Sequence, residues 1–342
     1  MRVSHTKCMA CLLIAGLAGT ALAVNIETVP VGNPGNAGER SGEGAGGYGP
    51  DRHCGAVSYT YNIGKYEVTA GQYTEFLNKL AATDTYGLYN TSMWSTTYGC
   101  KIQRSGSPGS YTYSVASDYA NRPVNYVSWG DSARFANWLH NGQPTGAQGA
   151  STTERGAYTL DGATSNAALR AVNRNSNWKW AITSEDEWYK AAYHKNNGVT
   201  GNYWDYPTSS NNVPGRDLID ISGNNANYYG NPYPIQSPYY TTVAGEFQNS
   251  DSPYGTFDQG GNVWEWNEFA ALDGPYRGLR GGSFIGTYGG YGLFASFRFY
   301  VNPTNELGDI GFRVSEVPEP ISLAILAFGG IRMLVRRRGL RR

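Results

Sequence analysis

The 342-residue chain carries little charge, and the charge that it carries is balanced. Lys and Arg together number 27, and Asp and Glu together also number 27, so the formal net charge at neutral pH is zero. Charged residues make up 16% of the chain, against about a quarter in typical globular domains. A basic face that could follow a phosphate backbone is therefore not expected, and the composition argues against nucleic acid as a partner.

The chain also lacks an uninterrupted run of the roughly 20 apolar residues that a membrane-spanning helix requires. A shorter apolar run, CLLIAGLAGTALA, follows Arg2 and Lys7 near the N-terminus and closes on small residues at Ala23. This order is typical of a secretory signal peptide, which predicts that residues 1–23 are removed and that Val24 becomes the first residue. The sequence therefore predicts export.

A second short apolar run lies at the C-terminal end, in residues 317–342. It reads VPEP, then ISLAILAFGGIRMLV, then three consecutive arginines at 336–338. The basic tail is typical of the cytoplasmic side of a membrane. The order of the three features resembles the PEP-CTERM sorting tag of bacterial envelope proteins, which implies an exosortase-type processing enzyme as a partner. An ordinary C-terminal membrane anchor is the alternative, and either one predicts an envelope or extracellular location.

Cysteine and histidine are scarce, with four of each. Two of the cysteines fall within the predicted signal peptide, which leaves Cys54 and Cys100. No C-x-x-C motif remains and the histidines are scattered, so a zinc site is poorly supported. An oxidising compartment would permit a disulfide between Cys54 and Cys100.

The chain is rich in Gly (45) and Tyr (27), which favours a loop-dominated protein. Residues 24–52 are rich in Gly, Asn and Pro and predict a flexible linker, and β-forming residues at 57–63 predict the first strand. From residue 196 onward the pattern is one of short strands and turns, so residues 53–316 predict one α+β domain. Three helices are predicted by capping boxes, namely Thr69 with Gln72, Ser128 with Asp131, and either Thr183 with Asp186 or Ser184 with Glu187.

A Gly-rich loop between residues 254 and 284 holds the most distinctive pattern of the chain. Gly260 and Gly261 give the backbone the freedom for a sharp turn, and Asp258 and Glu265 stand on either side of it. Two carboxylates and main-chain carbonyls are ligands that Ca²⁺ prefers. The alternative is a buried, Trp-rich turn in which backbone N–H groups satisfy Glu265.

Six short blocks follow one another over some 250 residues of the chain. They are residues 63–69 (IGKYEVT), 122–129 (RPVNYVSW), 183–188 (TSEDEW), 261–266 (GNVWEW), 280–284 (RGGSF) and 311–313 (GFR). Together the blocks resemble the formylglycine-generating enzyme, or sulfatase-modifying factor, domain family. The resemblance implies a C-type-lectin-like fold of small twisted antiparallel sheets, packed helices and long irregular loops. It also implies that the fold can serve variable receptor proteins, in which residues between G-G-S and G-F-R are diversified.

The resemblance also implies the metals. Family members bind Ca²⁺ at the G-N-x-W-E-W loop, which carries over to the side chains of Asp258 and Glu265 and the carbonyls of Gly261 and Val263. A second, weaker calcium site would include Asn227 and Tyr228. The enzymes hold copper with two cysteines after the G-G-S motif.

In this chain Gly286 and Tyr291 stand at the two cysteine positions by spacing. Copper(I) prefers soft thiolate ligands, and neither residue supplies one. No copper is therefore expected, and formylglycine generation is not expected either.

Two functions follow from this reading. The first is a calcium-stabilised binding or structural scaffold whose ligand, an exported protein or glycan, contacts the aromatic segment after G-G-S. The alternative is a divergent enzyme of the superfamily, oxidoreductase-type, that modifies an exported protein or small molecule. Candidate ligand-facing residues are Ser283, Tyr288, Tyr291, Phe294 and Arg298. For Arg298 the alternative is a structural role, in which it pairs with a buried acid or with backbone carbonyls, and Arg280 and Arg313 are expected to do similar structural work.

Overall fold

The structure, a computed structural model, describes residues 23–318. The predicted signal peptide up to residue 22 and the sorting segment from residue 319 lie outside the described residues. The helices are α1 (Ala70–Leu80), α2 (Ser92–Ser95), α3 (Trp129–His140), α4 (Asn166–Ala171) and α5 (Glu185–Tyr193). The strands are β1 (Thr28–Val31), β2 (Glu39–Ser41), β3 (Arg52–Cys54), β4 (Tyr61–Gly64), β5 (Ile102–Ser105), β6 (Thr112–Val115), β7 (Trp180–Ile182), β8 (Trp264–Ala270), β9 (Arg277–Arg280), β10 (Phe299–Val301), β11 (Ile310–Phe312) and β12 (Val314–Glu316).

The first of two four-stranded sheets joins the two ends of the domain. Its strand order is β1-β4-β12-β7, and every pair in it is antiparallel. Ile63 in β4 lies opposite Val29 on one side and Ser315 on the other. The first and last strands therefore pair with the same strand, β4, and the four-stranded sheet is complete only when both of them are in place.

The second four-stranded sheet, in the order β10-β9-β8-β11, contains or adjoins the GNVWEW, RGGSF and GFR blocks. Its β8–β9 and β9–β10 pairs are antiparallel, but β11 pairs with β8 in parallel, with Gly311 opposite Glu265. Two small hairpins, β2–β3 and β5–β6, complete the strands. The predicted α+β class with small antiparallel sheets is confirmed, with one parallel pair added.

All three capping boxes form as predicted. Thr69, Ser128 and Ser184 are the N-caps of α1, α3 and α5, and each makes the reciprocal side-chain and backbone hydrogen bonds of the motif. Of the two alternatives for α5, the structure selects Ser184 with Glu187. Within the described residues no helix is both long and apolar enough to cross a membrane.

The helices and sheets enclose a core built largely of aromatic rings. Phe76 of α1 contacts Phe135 and Trp138 of α3, with ring centroids 5.2 Å apart in both pairs. Phe312 of β11 packs edge-on against Phe135 at 5.4 Å. This packing fixes β11, and through it β8, against the helices.

The predicted flexible linker at residues 24–52 is wrong for most of its length. Residues 28–31 form β1 in the first sheet, and residues 39–41 form β2, which pairs with β3. Val31 is fully buried, and the hydrogen bond from the Gly42 amide to the Ser296 carbonyl ties the segment to a distant part of the chain. Low apolar content misled the prediction, because the segment is held mainly by backbone hydrogen bonds.

Candidate functional site

The loop before β8 makes a turn that depends on a residue without a side chain. Gly261 has a φ of +86°, and a Cβ atom built there would lie 2.3 Å from the carbonyl oxygen of Asn227. The amide of the next residue, Asn262, donates to that same carbonyl at 2.6 Å. The sequence G-N therefore brings the loop into direct backbone contact with residue 227.

Neighbouring protein groups make three hydrogen bonds to the carboxylate of Glu265. Arg313 donates to both of its oxygens, from Nε and Nη2, at 2.6 Å each. Trp188 Nε1 adds a third hydrogen bond at 2.7 Å. All of these groups are buried, and the guanidinium neutralises the carboxylate. Glu265 therefore does not fit the predicted role of a calcium ligand.

Asp258, on the other side of the turn, has a different environment. One of its oxygens accepts a hydrogen bond of 2.6 Å from the amide of Gly245. Burial and the charge of Glu265 raise its pKa to about 6, although the Gly245 amide and Arg313 oppose the shift. Asp258 is thus a carboxylate without its own counter-ion, and its charged form would be stabilised by a cation.

Glu67 is a second carboxylate of this kind, and sequence reasoning missed it. It is 2% exposed, and its Oε1 atom has no hydrogen-bond partner among residues 23–318. Burial, followed by the charges of Asp258 and Glu265, raises its pKa well above the usual value. The only available signal was the glutamate of the IGKYEVT block. Glu67 also lines a groove of about 840 Å³ beside residues 23–27 and the start of α1.

The donors at the predicted calcium site therefore fit the ion in part. Asp258 supplies an oxygen and needs a cation, whereas Glu265 is committed to Arg313. Asn227, of the weaker predicted site, is buried, and its Oδ1 has no partner within the described part of the chain; the Tyr228 hydroxyl donates to the Pro214 carbonyl. Among the described residues no group of three or more His, Cys, Asp or Glu is arranged to hold a metal ion.

The predicted ligand-facing residues divide into exposed and buried members. Tyr288 is 37% exposed and Tyr291 is 44% exposed. Phe294 is half-buried and lies between the rings of Tyr206 and Tyr291. Ser283 is only 4% exposed, and its hydroxyl is bonded to Asp309 Oδ2 at 3.0 Å and to the Ile285 carbonyl. The two tyrosines can therefore meet a ligand directly, whereas Ser283 does not face solvent.

Arg298 does not face a ligand, so its place among the ligand-facing candidates is wrong and its alternative, structural role is confirmed. Its side chain is fully buried and binds the carboxylate of Glu185, together with the carbonyl of Pro50. Arg280 binds the same carboxylate through Nε at 2.9 Å and Nη2 at 2.6 Å. Glu185, at the start of α5, is thus the shared partner of two buried guanidinium groups, which join α5 to the second sheet. The predicted structural role of Arg280 and Arg313 is confirmed.

Within the part of the chain that the structure describes, Cys54 and Cys100 are both free thiols, so the possible disulfide between them is not formed. Cys54 packs in a small cluster with α5, where its Sγ accepts hydrogen bonds from Arg298 at 3.0 Å and Arg280 at 3.5 Å. Cys100 lies in the main core, against Asn125. They are held in different clusters, so they do not form a pair of metal-binding thiolates.

Comparisons with known proteins agree with this architecture. Two solved structures are similar to this chain over nearly the whole of their own length. The "Crystal Structure of CarF" is 20% identical with a TM-score of 0.54, covering 86% of this chain and 99% of that one. "Treponema denticola variable protein 1" is 19% identical with a TM-score of 0.51, covering 85% and 95%. Among curated proteins, none matches the chain.

These structural matches establish a shared fold. The family profile described as "Sulfatase-modifying factor enzyme 1-like domain" covers residues 29–317, which includes β1 and therefore most of the segment predicted as a linker. The match spans both four-stranded sheets, the loop before β8 and the G-F-R block. The chain therefore belongs to the FGE-sulfatase family.

Proposed function

We propose that the protein is an exported, envelope-associated scaffold of the FGE-sulfatase family that binds a ligand and has no formylglycine-generating oxidase activity. The observation that carries this proposal is the residue content of the segment after G-G-S. Gly286 and Tyr291 stand at the positions of the two family cysteines, and Cys54 and Cys100 are buried in separate clusters. A pair of soft thiolates is what copper(I) binding requires.

A copper titration of the purified chain tests this absence. Copper(I) is added under anaerobic conditions while thiolate-to-metal absorption in the near ultraviolet is recorded, and a cysteine-containing substrate peptide is assayed for formylglycine. We expect neither tight thiolate-type binding nor aldehyde formation. The double variant Gly286→Cys/Tyr291→Cys is the positive control for copper uptake. Copper binding by the unaltered chain would support instead the divergent oxidoreductase.

Calcium is part of the proposal, with a modified set of ligands. Asp258 and the carbonyls of Gly261 and Val263 would hold the ion at the loop, and Ca²⁺ would supply the positive charge that Asp258 lacks. Support comes from the raised pKa of Asp258 and from its position before the G-N turn. Because Arg313 already neutralises Glu265, this residue stabilises the loop through its ion pair and not through the metal.

Thermal unfolding with and without calcium tests the ion. A ligand present at about 100 times its Kd stabilises the native state by about 2.7 kcal/mol, so the chain is expected to melt at a lower temperature in chelator. Asp258→Asn should lose this response, whereas Asp251→Asn, an exposed acid nearby in the sequence, should keep it. A melting temperature that is identical in calcium and in chelator would remove calcium from the proposal.

Export and envelope association rest on the sequence of the two termini. The proposal predicts that the N-terminus of the mature protein is Val24 and that the segment after Val317 is processed by an exosortase-type enzyme or anchors the chain in the membrane. Mass spectrometry of the protein from cell-envelope and culture-medium fractions measures both ends. An intact Met1 on protein that remains in the cytoplasm would contradict this part.

A further inference from the structure

A third exposed tyrosine adjoins the proposed ligand surface, and it comes from the segment that composition alone assigns to a linker. Tyr48 is 38% exposed. Its carbonyl accepts a hydrogen bond of 3.0 Å from the amide of Arg298. A Cβ atom on Gly47 would lie 1.9 Å from the carbonyl oxygen of Ser296, and one on Gly49 would lie 2.9 Å from that of Arg298. The glycines on either side of Tyr48 therefore allow the backbone to dock closely and fix where the ring stands.

The three exposed tyrosines share one buried ring as their base. The ring of Phe297, which is 1% exposed, lies 5.3 Å from Tyr48, 4.8 Å from Tyr288 and 5.1 Å from Tyr291, centroid to centroid. Tyr48 and Tyr288 are 6.3 Å apart. The hydroxyl of Tyr291 donates to the carbonyl of Gly46 at 2.9 Å, which links the two segments. Tyr48, Tyr288 and Tyr291 are hereafter the tyrosine ledge.

The segments that form the tyrosine ledge carry no basic side chain, and one acid adjoins them. Residues 44–49 read GAGGYG and residues 284–294 read FIGTYGGYGLF, and the exposed Glu43 directly precedes the first of them. The hydroxyls of exposed Tyr48, Tyr288 and Thr287 are polar groups available to a ligand there. An acidic polymer would meet Glu43 and no basic side chain in these segments, and a basic peptide would find a single acid, so the chemistry favours a neutral ligand with apolar faces and hydroxyl groups.

The exposed area of the ledge distinguishes between the two kinds of neutral ligand, a folded protein and an oligosaccharide. A stable interface between two folded proteins covers about 800 Å² on each partner. Three rings that are each about two-fifths exposed provide only a fraction of that area. A few sugar rings match it well, because the C–H face of a pyranose lies flat on an aromatic ring while its hydroxyls bond to polar groups at the edge.

We propose that the tyrosine ledge binds a neutral oligosaccharide, with Tyr48 and Tyr291 each contacting a sugar face. This inference rests on the proposed binding function and names the class of ligand. Since the rings are held by Phe297 and by the docked glycines, the ledge is formed before the ligand arrives. Little side-chain entropy is lost on binding, which is why rigid aromatic residues suit such a surface.

Ligand-observed NMR with maltotriose, cellotriose and laminaritriose tests the proposal on the mature chain. We expect at least one trisaccharide to bind, and Tyr48→Ala and Tyr291→Ala each to weaken it by about fivefold to tenfold. Trp94→Ala, which removes an exposed aromatic ring elsewhere, is the matched control and should not change the affinity. Gly47→Ala keeps all three rings but displaces Tyr48, and should weaken binding in a protein whose circular dichroism is otherwise unchanged.

Two outcomes would overturn the proposal. One is binding that Tyr48→Ala leaves unaltered. The other is no binding of any trisaccharide at millimolar concentration. In the second case, an exported protein that is retained by the unaltered chain and lost from Tyr291→Ala would refute the oligosaccharide while leaving the proposed binding function intact. The proposed binding function itself fails if the unaltered chain retains neither a trisaccharide nor an exported protein, and the absence of oxidase chemistry is tested separately by the copper titration.

Discussion

Replacing Glu185 with Gln removes the counter-charge of two buried guanidinium groups at once. Its carboxylate binds Arg280 and Arg298, which are both fully buried, and also Arg52 at 2.8 Å from the partly exposed side. Gln can accept hydrogen bonds but brings no charge. The variant therefore leaves positive charge uncompensated where α5 meets the second sheet, and we expect it to unfold much more easily than the unaltered chain.

Two estimates of the size of this effect agree. Removing one partner of a buried ion pair costs about 3–5 kcal/mol. Burial alone would raise the pKa of Glu185, but the charges of Arg280, Arg298 and Arg52 outweigh it and lower the pKa from 4.5 to about 2. Such a shift corresponds to about 3 kcal/mol of stability when the carboxylate is charged. The total unfolding free energy of a domain is only about 5–15 kcal/mol, so this loss is a large fraction of it.

The pH dependence of this effect has a definite sign. Because the folded pKa of Glu185 is below the unfolded value, its contribution to stability is fully present above pH 4.5 or so and is lost as the pH falls towards about 2. The difference in unfolding free energy between the unaltered chain and Glu185→Gln is therefore expected to shrink through that window.

Urea unfolding followed by tryptophan fluorescence at pH 7, 4 and 2.5 measures this difference. Asp161→Asn, which breaks an exposed ion pair with Arg155, is the matched acid-to-amide control and should change little at any of the three pH values. A Glu185→Gln protein as stable as the unaltered chain at pH 7 would refute the reasoning. So would a deficit that keeps its full size at pH 2.5.

Three further outcomes follow from the same structure. Glu265→Gln leaves Arg313 unpaired and should lower the urea unfolding free energy by about 3–5 kcal/mol in calcium and in chelator alike; a loss confined to calcium would indicate a metal ligand. Thr69→Ala removes the N-cap of α1 and should cost about 1 kcal/mol in the same assay. Cys54 and Cys100 are buried, and burial raises the pKa of each thiol to about 11, so a disulfide-exchange reagent should react with them only in denaturant; fast labelling of native protein would contradict this.

Local rules predicted those parts of the fold that local chemistry determines. The N-caps Thr69, Ser128 and Ser184 lie three residues from their partners, so the sequence contains the whole motif. The alternative for α5, Thr183 with Asp186, was equally compatible with the pattern, and packing decides it. Strand β4 also formed within one residue of the end of the predicted run, but it begins four residues later, at Tyr61.

The features that the sequence did not predict depend on contacts between residues that lie far apart in the chain. The segment around Tyr48 has few apolar residues, yet it docks against Ser296 and Arg298, about 250 positions away, through glycine backbone. Arg298 lies among aromatic residues that suggested a surface, but its partner Glu185 comes from α5. Likewise, nothing near Glu265 in the sequence shows that Arg313 neutralises it. Each of these outcomes depends on two residues far apart in the chain.

The sharing of β4 by β1 and β12 has a consequence for how the chain reaches its native state. Strand β12 is an inner strand between β4 and β7, and it ends at Glu316, close to the last residue that the structure describes. A growing chain that does not yet include residues 314–316 lacks β12, so β4 and β7 have no strand between them. Contacts between such distant segments also slow folding. The first sheet can therefore be completed only after nearly all of residues 28–316 have been synthesised.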